Sequence, residues 1–444
     1  MRGEHIRRRI SVQIGQGVPD GPNNGGRRAV RRTRDGGGRI NSIHRARRDY
    51  PESVTSTIGS DPSGLARRAA TTLSAAGRFA VESATGSLAR SGLSAARALG
   101  AGADEIRAFT HGSPNLRDGV FHNLDHEPSQ VDADLRVVLD MARRPGRPRR
   151  PVPVMPPDFA DDVTDLQITW LGHASVLVEL DGVRVLTDPV LSRRCSPSQT
   201  VGPARMHSAP VTVADLPPID VVLISHDHYD HLDMATVVDL ALAHPGARFV
   251  APIGVGAHLI AWGVSAGRID QADWWGEVTV STADRDITFT CCPARHFSGR
   301  SLSRNLALWG SWVMAGPVHR VFFSGDTGFS EHFEEVAARL GPVDASLTAV
   351  GAYDPVWPDV HVTPEEAVVV HRMLARDRES VMIPIHWGTF NLARHSWVDP
   401  IARLLPAAAA NPTDVLVPPP GGTVHLVHRT GSGLEMPHWW EKTA

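Results

Sequence analysis

The sequence predicts an α/β (α+β) fold, two β-sheets packed face to face with helices on the outside. Three observations point to it. Short strands close through tight turns, as where Asp181-Gly182 joins Ser175–Leu180 to Val183–Thr187. Further along, apolar runs of strand length alternate with helical patterns, the mark of βα units. Finally, isolated His and Asp residues recur directly after the apolar runs, so strand ends carry the polar chemistry. Hairpins and βα units in one chain call for two packed sheets whose outer faces are covered by helices.

The 444-residue chain, 42% apolar, is long enough for a sizeable core and for more than one domain. It holds no run of eighteen apolar residues, so a membrane-spanning helix is not expected. Cys195, Cys291 and Cys292 form no CxxC pair, and adjacent thiols are poor disulfide partners. Buried free thiols in a reducing, cytoplasmic compartment follow. Lys442 is the only lysine among 45 basic residues, a skew that reads as the codon bias of a GC-rich bacterial genome.

Charge is unevenly spread. Residues 1–49 carry 13 Arg against Glu4, Asp20, Asp35 and Asp49, giving +9, so the rest of a chain of net charge -3 carries -12. Residues 1–62, rich in Arg, Gly, Pro and Asn, are expected to be a disordered arm. No apolar stretch follows Arg7-Arg8-Arg9, so the arm does not resemble an export signal. Residues 63–157 read as a helical extension and a connector. Alanine and arginine with spaced leucines at 64–108 predict one or two helices, suited to packing, a subunit interface or a membrane surface. The proline-rich 144–157 is the stiff connector.

A catalytic domain is expected over 158–430 and a tail over 431–444. Strands are predicted at 166–171, 175–180, 183–187, 219–224, 248–252, 285–291, 308–314, 318–323, 344–350 and 380–385. Helices are predicted at 234–243, 254–262, 330–340, 364–376 and 398–409.

The densest chemistry lies in Ser225-His226-Asp227-His228-Tyr229-Asp230-His231, after the apolar run 219–224. Alternation puts His226 and His228 on one side, while Asp230 and His231 can turn towards a neighbouring point. Two adjacent metal sites suit that spacing better than one. His296, Asp326, His361 and His386 each follow a strand or precede a helix. A lone histidine is more often structural than a ligand. Strand ends of one sheet converge on one edge, however, and there the cluster favours metal binding.

The segment 226–231, then His296, Gly325-Asp326-Thr327-Gly328 and His386, resembles the metallo-β-lactamase-fold hydrolases. Further segments narrow the resemblance: Trp170–Ser175, Leu186–Val190, Arg295–Arg300, His361–Ala367 and Ile385–Phe390. They are similar to the branch of phospholipases D that hydrolyse N-acylphosphatidylethanolamine. The likeness covers about 160–430, with nothing before 110.

The resemblance implies an αββα sandwich with two zinc ions sharing a hydroxide at its edge. His226, His228 and His296 would hold one ion. Asp230, His231 and His386 would hold the other, and Asp326 would bridge them. Asp230 and His361 would serve catalysis, His361 through the phosphate or the leaving group. His173 and Asp188 would hold the ligands from behind. Asp227 stands where the branch often has Asn, an added negative charge that would disfavour an anionic phosphate.

The expected reaction is phosphodiester hydrolysis of an N-acylated glycerophospholipid to phosphatidic acid and an N-acylethanolamine, by a homodimer in peripheral contact with membranes. A lactonase or another phosphoesterase of the same fold is the first alternative. A nucleic-acid-binding protein or nuclease using the basic arm is the second, although no nucleic-acid partner is expected. Tryptophans at 274, 275, 309, 312, 357 and 387 are assigned mostly to the core, some to an acyl groove.

Overall fold

A computed structural model of the chain describes residues 94–125, 146–159, 162–163, 165–282, 285–300 and 303–443. The arm at 1–62 and most of the helical stretch 64–108 lie outside the described residues. Of that stretch, α1 (Ala103–Thr110) is helical, with Glu105 accepting from the Gly102 N–H at 2.7 Å. A hairpin that the sequence reading did not anticipate follows, β1 (Leu116–Arg117) paired with β2 (Val120–Phe121). Asp118 and Gly119 both take positive φ there (54° and 77°), as a two-residue hairpin turn demands.

The first sheet joins β3 (Leu166–Gly172), β4 (Ser175–Leu180), β5 (Val183–Thr187), β6 (Val221–Leu223), β7 (Arg248–Pro252) and β8 (Ile269–Ala272). The second holds β9 (Glu277–Ser281), β10 (Asp286–Cys292), β11 (Ser311–Ala315), β12 (Arg320–Phe323), β13 (Ala345–Ala349), β14 (Val381–Ile385) and β15 (Asp414–Val415). Late in the chain, β16 (Thr423–His425) returns to the first sheet beside β3. The two strand orders are β16-β3-β4-β5-β6-β7-β8 and β15-β14-β13-β12-β11-β10-β9.

Each sheet changes character midway. From β16 to β5 and from β9 to β12 neighbours are antiparallel; from β5 to β8 and from β12 to β15 they are parallel. Parallel steps need crossovers. Helices α2 (Met234–Ala243), α3 (Gly256–Ala261), α4 (His332–Leu340) and α5 (Pro364–Ala375) lie between parallel strands in sequence, and α6 (Asp399–Ala410) precedes β15.

Side-chain alternation builds the layers. Ile168, Trp170, Val176 and Val178 of the first sheet meet Phe289, Trp312, Met314 and Phe323 of the second in the central core. Alternate residues point outwards: Leu177, Leu186 and Val222 lie beneath Val237 and Leu240 of α2. On the other side Val313 and Phe322 lie beneath Phe333, Val336, Val370 and Leu374 of α4 and α5. The result is the expected αββα sandwich.

The strands that escaped the sequence reading, β8, β9, β15 and β16, include those at the sheet edges, where partial exposure removes the continuous apolar run. In the stretch set apart as a tail, Trp439 is fully buried and stacks on Trp387 with ring centroids 5.4 Å apart. Of the tryptophans considered for a groove, Trp274, Trp309, Trp312, Trp357 and Trp387 are buried, and Trp275 is packed under the Arg339 guanidinium. All three thiols are free and buried.

Candidate metal centre

The parallel strands end on one edge of the sandwich, and the loops leaving them carry the polar residues. β5 is followed by Asp188, β6 by the 225–233 loop, β12 by Asp326 and β14 by His386; β10 leads to His296, and the β3–β4 turn holds His173. Asp188, His173 and His386 all have positive φ (31°, 54° and 60°), unfavourable for side chains this size and typical of functional turns. The surroundings enforce it. The His173 N–H donates to Thr389 Oγ1 (2.7 Å), and the His386 N–H to the His173 carbonyl (3.0 Å). Gly325 lets the Asp326 loop come close to the 225–233 loop, since a Cβ there would lie 2.5 Å from Ser225 Cβ.

Two groups of donor atoms result. In one, His226 Nε2 is 2.8 Å from His228 Nδ1, and His296 Nε2 is 3.3 Å from the same atom. Asp326 Oδ2 stands 3.9 Å from His226 Nε2 and 3.7 Å from His296 Nε2. In the other, His231 Nε2 and His386 Nε2 are 3.1 Å apart, with Asp230 Oδ2 at 3.5 and 3.3 Å. Asp326 joins this group as well, through Oδ2 to His231 and Oδ1 to His386, both 3.1 Å.

The spacing fits cations. Four tetrahedral donors about 2.0–2.1 Å from one ion stand roughly 3.3 Å from each other. Asp326 Oδ1 is buried without a hydrogen bond, an orphan that an ion would satisfy. Among the described residues each group gathers donor atoms lying within 4.8 Å of one another. The donors are imidazole and carboxylate; the buried thiols stand apart.

Behind the donors, carboxylates and carbonyls fix the ring orientations. His231 Nδ1 is 2.6 Å from Asp188 Oδ2, and Asp188 also accepts from Ser225 N–H (2.7 Å) and Ser225 Oγ (2.5 Å). His296 Nδ1 faces the Val360 carbonyl at 3.1 Å, and His173 Nε2 faces Asp230 Oδ2 at 3.0 Å. Such partners set the tautomer that leaves the inward nitrogen free to bind. His361 Nδ1 lies 3.9 Å from Asp326 Oδ2, its ring beside those of His296 and His386. It therefore faces the centre, in addition to preceding the capping box Thr363–Glu366 that starts α5.

Electrostatics divide the cluster. Burial and neighbouring imidazoles push His226 and His296 well below the ordinary histidine range, and burial lowers His228. These rings are neutral at pH 7, the form in which an imidazole can bind an ion, whereas rings raised by carboxylates would release a proton on binding one. Burial alone would also lower His231 and His386, but Asp326 and Asp230 outweigh it and raise both, His386 to about 9. Burial lowers His361 to about 4.

Asp227 brings its charge close to the site, where it acts against burial on the neighbouring His228. It is buried and points away from the donors, accepting from the Gly299 N–H at 2.7 Å and facing His258 Nε2 at 3.4 Å. Sequence reasoning missed Asn123, whose amide holds the His296 main chain. Its only herald in the sequence is the Asp118-Gly119 hairpin that precedes it.

A cavity of about 540 Å³ opens beside His361, lined by Tyr353, Pro355, Pro358, His395, Asp399 and Arg403 among others. None of the tryptophans contributes to its wall.

A family model described as a beta-lactamase superfamily domain matches residues 183–387. An uncharacterized protein of Mycobacterium tuberculosis is 47% identical over 351 residues, 77% of this chain and 91% of its own. N-acyl-phosphatidylethanolamine-hydrolyzing phospholipase D 1 of Caenorhabditis elegans is 38% identical over 282 residues, 62% of this chain and 74% of the worm protein. A metal-dependent hydrolase of Pyrobaculum neutrophilum is 27% identical over 261 residues, 59% of this chain and 100% of that one.

Proposed function

Because this chain belongs to the metallo-β-lactamase superfamily and is a metal-dependent hydrolase of that family, we propose that it is a dinuclear zinc phosphodiesterase of the phospholipase D type. Its substrate on this reading is an N-acylphosphatidylethanolamine-like lipid, cleaved to phosphatidic acid and an N-acylethanolamine. The observation that carries the reading is Asp326, whose carboxylate serves both donor groups at once. Similarity to the worm phospholipase supports the choice of substrate class.

His226, His228 and His296 would hold one ion, and Asp230, His231 and His386 the other. When bound, two such ions supply positive charge for the phosphoryl oxygens and lower the pKa of a shared water. The chain's own residues do the rest. Asp188 and His173 lock the inward geometry of His231 and Asp230. His361, neutral at pH 7, offers a hydrogen-bond donor beside the centre for a phosphoryl or leaving-group oxygen. The cavity next to it takes the headgroup that departs.

The balance is simple: the phosphorus–ethanolamine oxygen bond breaks, water supplies the new oxygen on phosphorus, and its second proton ends on the leaving alcohol. Access to such a lipid requires peripheral contact with a bilayer. Among the described residues no helix is long and apolar enough to cross one.

The test is turnover of N-acylphosphatidylethanolamine in mixed micelles, beside a lactone and a nucleotide diester. In ¹⁸O-water the label should enter phosphatidic acid, not the alcohol. Turnover of the lactone alone would replace the phospholipase reading with a lactonase one.

A further inference from the structure

We infer that Asn123, in a segment upstream of the matched family domain, is a positioning residue for the metal group of His226, His228 and His296. The inference rests on the two-ion reading above.

Asn123 is 3% exposed and makes two opposed bonds to one residue. Its Nδ2 donates to the His296 carbonyl and its Oδ1 accepts from the His296 N–H, both at 2.9 Å. A primary amide facing a main-chain N–H and C=O in this way mimics a β-ladder pair. It fixes translation and rotation of that residue together. Meanwhile the His296 ring is fixed at its far nitrogen by the Val360 carbonyl. Backbone and ring are thus clamped independently, which holds Nε2 in place 3.3 Å from His228 Nδ1.

The clamp is delivered by a rigid lead-in. The β1–β2 hairpin places Phe121 in the central core, and the Phe121 N–H donates to the Asn305 carbonyl at 2.8 Å. Asn305 in turn donates its N–H to the Ser298 carbonyl at 3.1 Å, tying the hairpin to the loop that carries His296.

A second upstream contact reaches the other side of the same metal group. Arg300, buried, donates to the carbonyls of Asp227 (2.7 Å), Leu232 (2.8 Å) and Ala98 (2.8 Å). Its guanidinium lies 4.1 Å from the Tyr229 ring centroid and 4.9 Å from that of Trp262. The Ala101 N–H donates to His258 Nδ1 at 3.0 Å, with Gly100 (φ 81°) so close that a Cβ would lie 2.2 Å from that nitrogen. The 98–123 segment therefore reaches both loops that supply this donor group; the 225–233 loop also carries Asp230 and His231 of the other group, whereas the loop that Asn123 holds supplies His296 alone. The His231–His386 group has its braces, Asp188 and His173, in the catalytic domain itself.

The experiment compares full-length wild type, Asn123→Ala and Asn123→Ser loaded with Co²⁺, reading the visible ligand-field spectrum and the dissociation constants by chelator competition. Loss of a positioning partner of a metal ligand costs 10–100-fold in affinity as an order of magnitude. The expected result is that about one of two equivalents weakens by that factor and its absorption bands shift, while the other equivalent keeps its spectrum. Serine, too short to make both bonds, should behave as alanine does. Equal weakening of both equivalents, or wild-type affinity and spectrum in both variants, would overturn the inference. Fewer than two Co²⁺ per wild-type chain would instead overturn the two-ion reading itself. Should the alanine protein not fold, the serine variant decides by the same spectrum.

Discussion

Asp188 Oδ2 and His231 Nδ1 lie 2.6 Å apart, both side chains wholly buried, and this contact joins the β5 end to the metal loop. Asp188 also takes two hydrogen bonds from Ser225, the residue that opens that loop. Burial raises the Asp188 pKa, and His231 and Ser225 act against that. Asp188→Ala should lower affinity for the ion that His231 would hold by roughly 10–100-fold. Asp188→Asn, which keeps an acceptor, should lose less. Chelator competition on refolded, gel-filtered proteins checks both.

Asp326 should control stoichiometry. With its carboxylate gone, each donor group keeps three ligands but loses the shared negative charge between them. Metal analysis of Asp326→Ala after gel filtration should find about one ion or fewer where, on the two-ion reading, wild type should hold two. Two tightly held ions in the variant would contradict the bridging role.

His361 separates chemistry from metal binding. Its ring faces the centre, where it also lies within ligand distance of Asp326 and His386, yet each donor group gathers at least three ligand atoms without it. His361→Asn should reduce kcat by about 10²-fold, in the range typical of a lost proton donor or acceptor, with metal content unchanged. Loss of an ion alongside the rate would assign it to the metal shell instead.

Acid stability should follow the buried neutral histidines. Burial lowers His371 to about 4 from the ordinary histidine value of about 6.5, its Nδ1 paired with Ser346 Oγ at 2.8 Å. Between those values the unfolded chain binds a proton that the folded chain does not. Stability is therefore full above about pH 6.5 and declines as pH falls, by up to about 1.4 kcal/mol per unit for this residue. Urea unfolding of metal-free protein from pH 7 to 4.5 should show the decline, and His371→Gln should flatten it by that amount.

Trp439 tests the docking of the C-terminal stretch. It has no exposed surface, stacks on Trp387 and donates Nε1–H to the Val417 carbonyl at 3.0 Å. Trp439→Ala should destabilise the fold by about 3–5 kcal/mol, read by denaturant midpoint. A change under 1 kcal/mol would mean that the stretch folds independently of the sheets.

Most of the frame was readable from the sequence because interior strands leave strong signals. Leu166–Gly172, Ser175–Leu180 and Val381–Ile385 are buried along their full length, so each appears as a largely apolar run, and the first and last have His173 and His386 just past their ends. The candidate donors were readable for the same reason, as residues at strand ends. Edge strands were not. In Ile269–Ala272 only Ala272 is fully buried, which leaves no run to detect. Leu308 and Trp309 are buried, yet the strand there begins only at Ser311, after Gly310, where a Cβ would lie 2.8 Å from Cys291 Sγ. Asn123 was hidden for a different reason. Its partners are main-chain atoms 173 positions away, and backbone groups carry no identity in a sequence.

The switch from antiparallel to parallel pairing in both sheets brings donors from residues 226 to 386 to one edge, with His226, His228, Asp230 and His231 from the first sheet and His296, Asp326 and His386 from the second. Occupied, such a site acts as a clasp between two halves of the molecule. Ion concentration then enters the folding equilibrium directly, adding RT ln(1 + [M]/Kd) for each site, or about 4 kcal/mol at a thousandfold excess over Kd. A chelator should accordingly speed amide exchange in the buried strands of both sheets together, as a loosened hinge pin frees both leaves of a door.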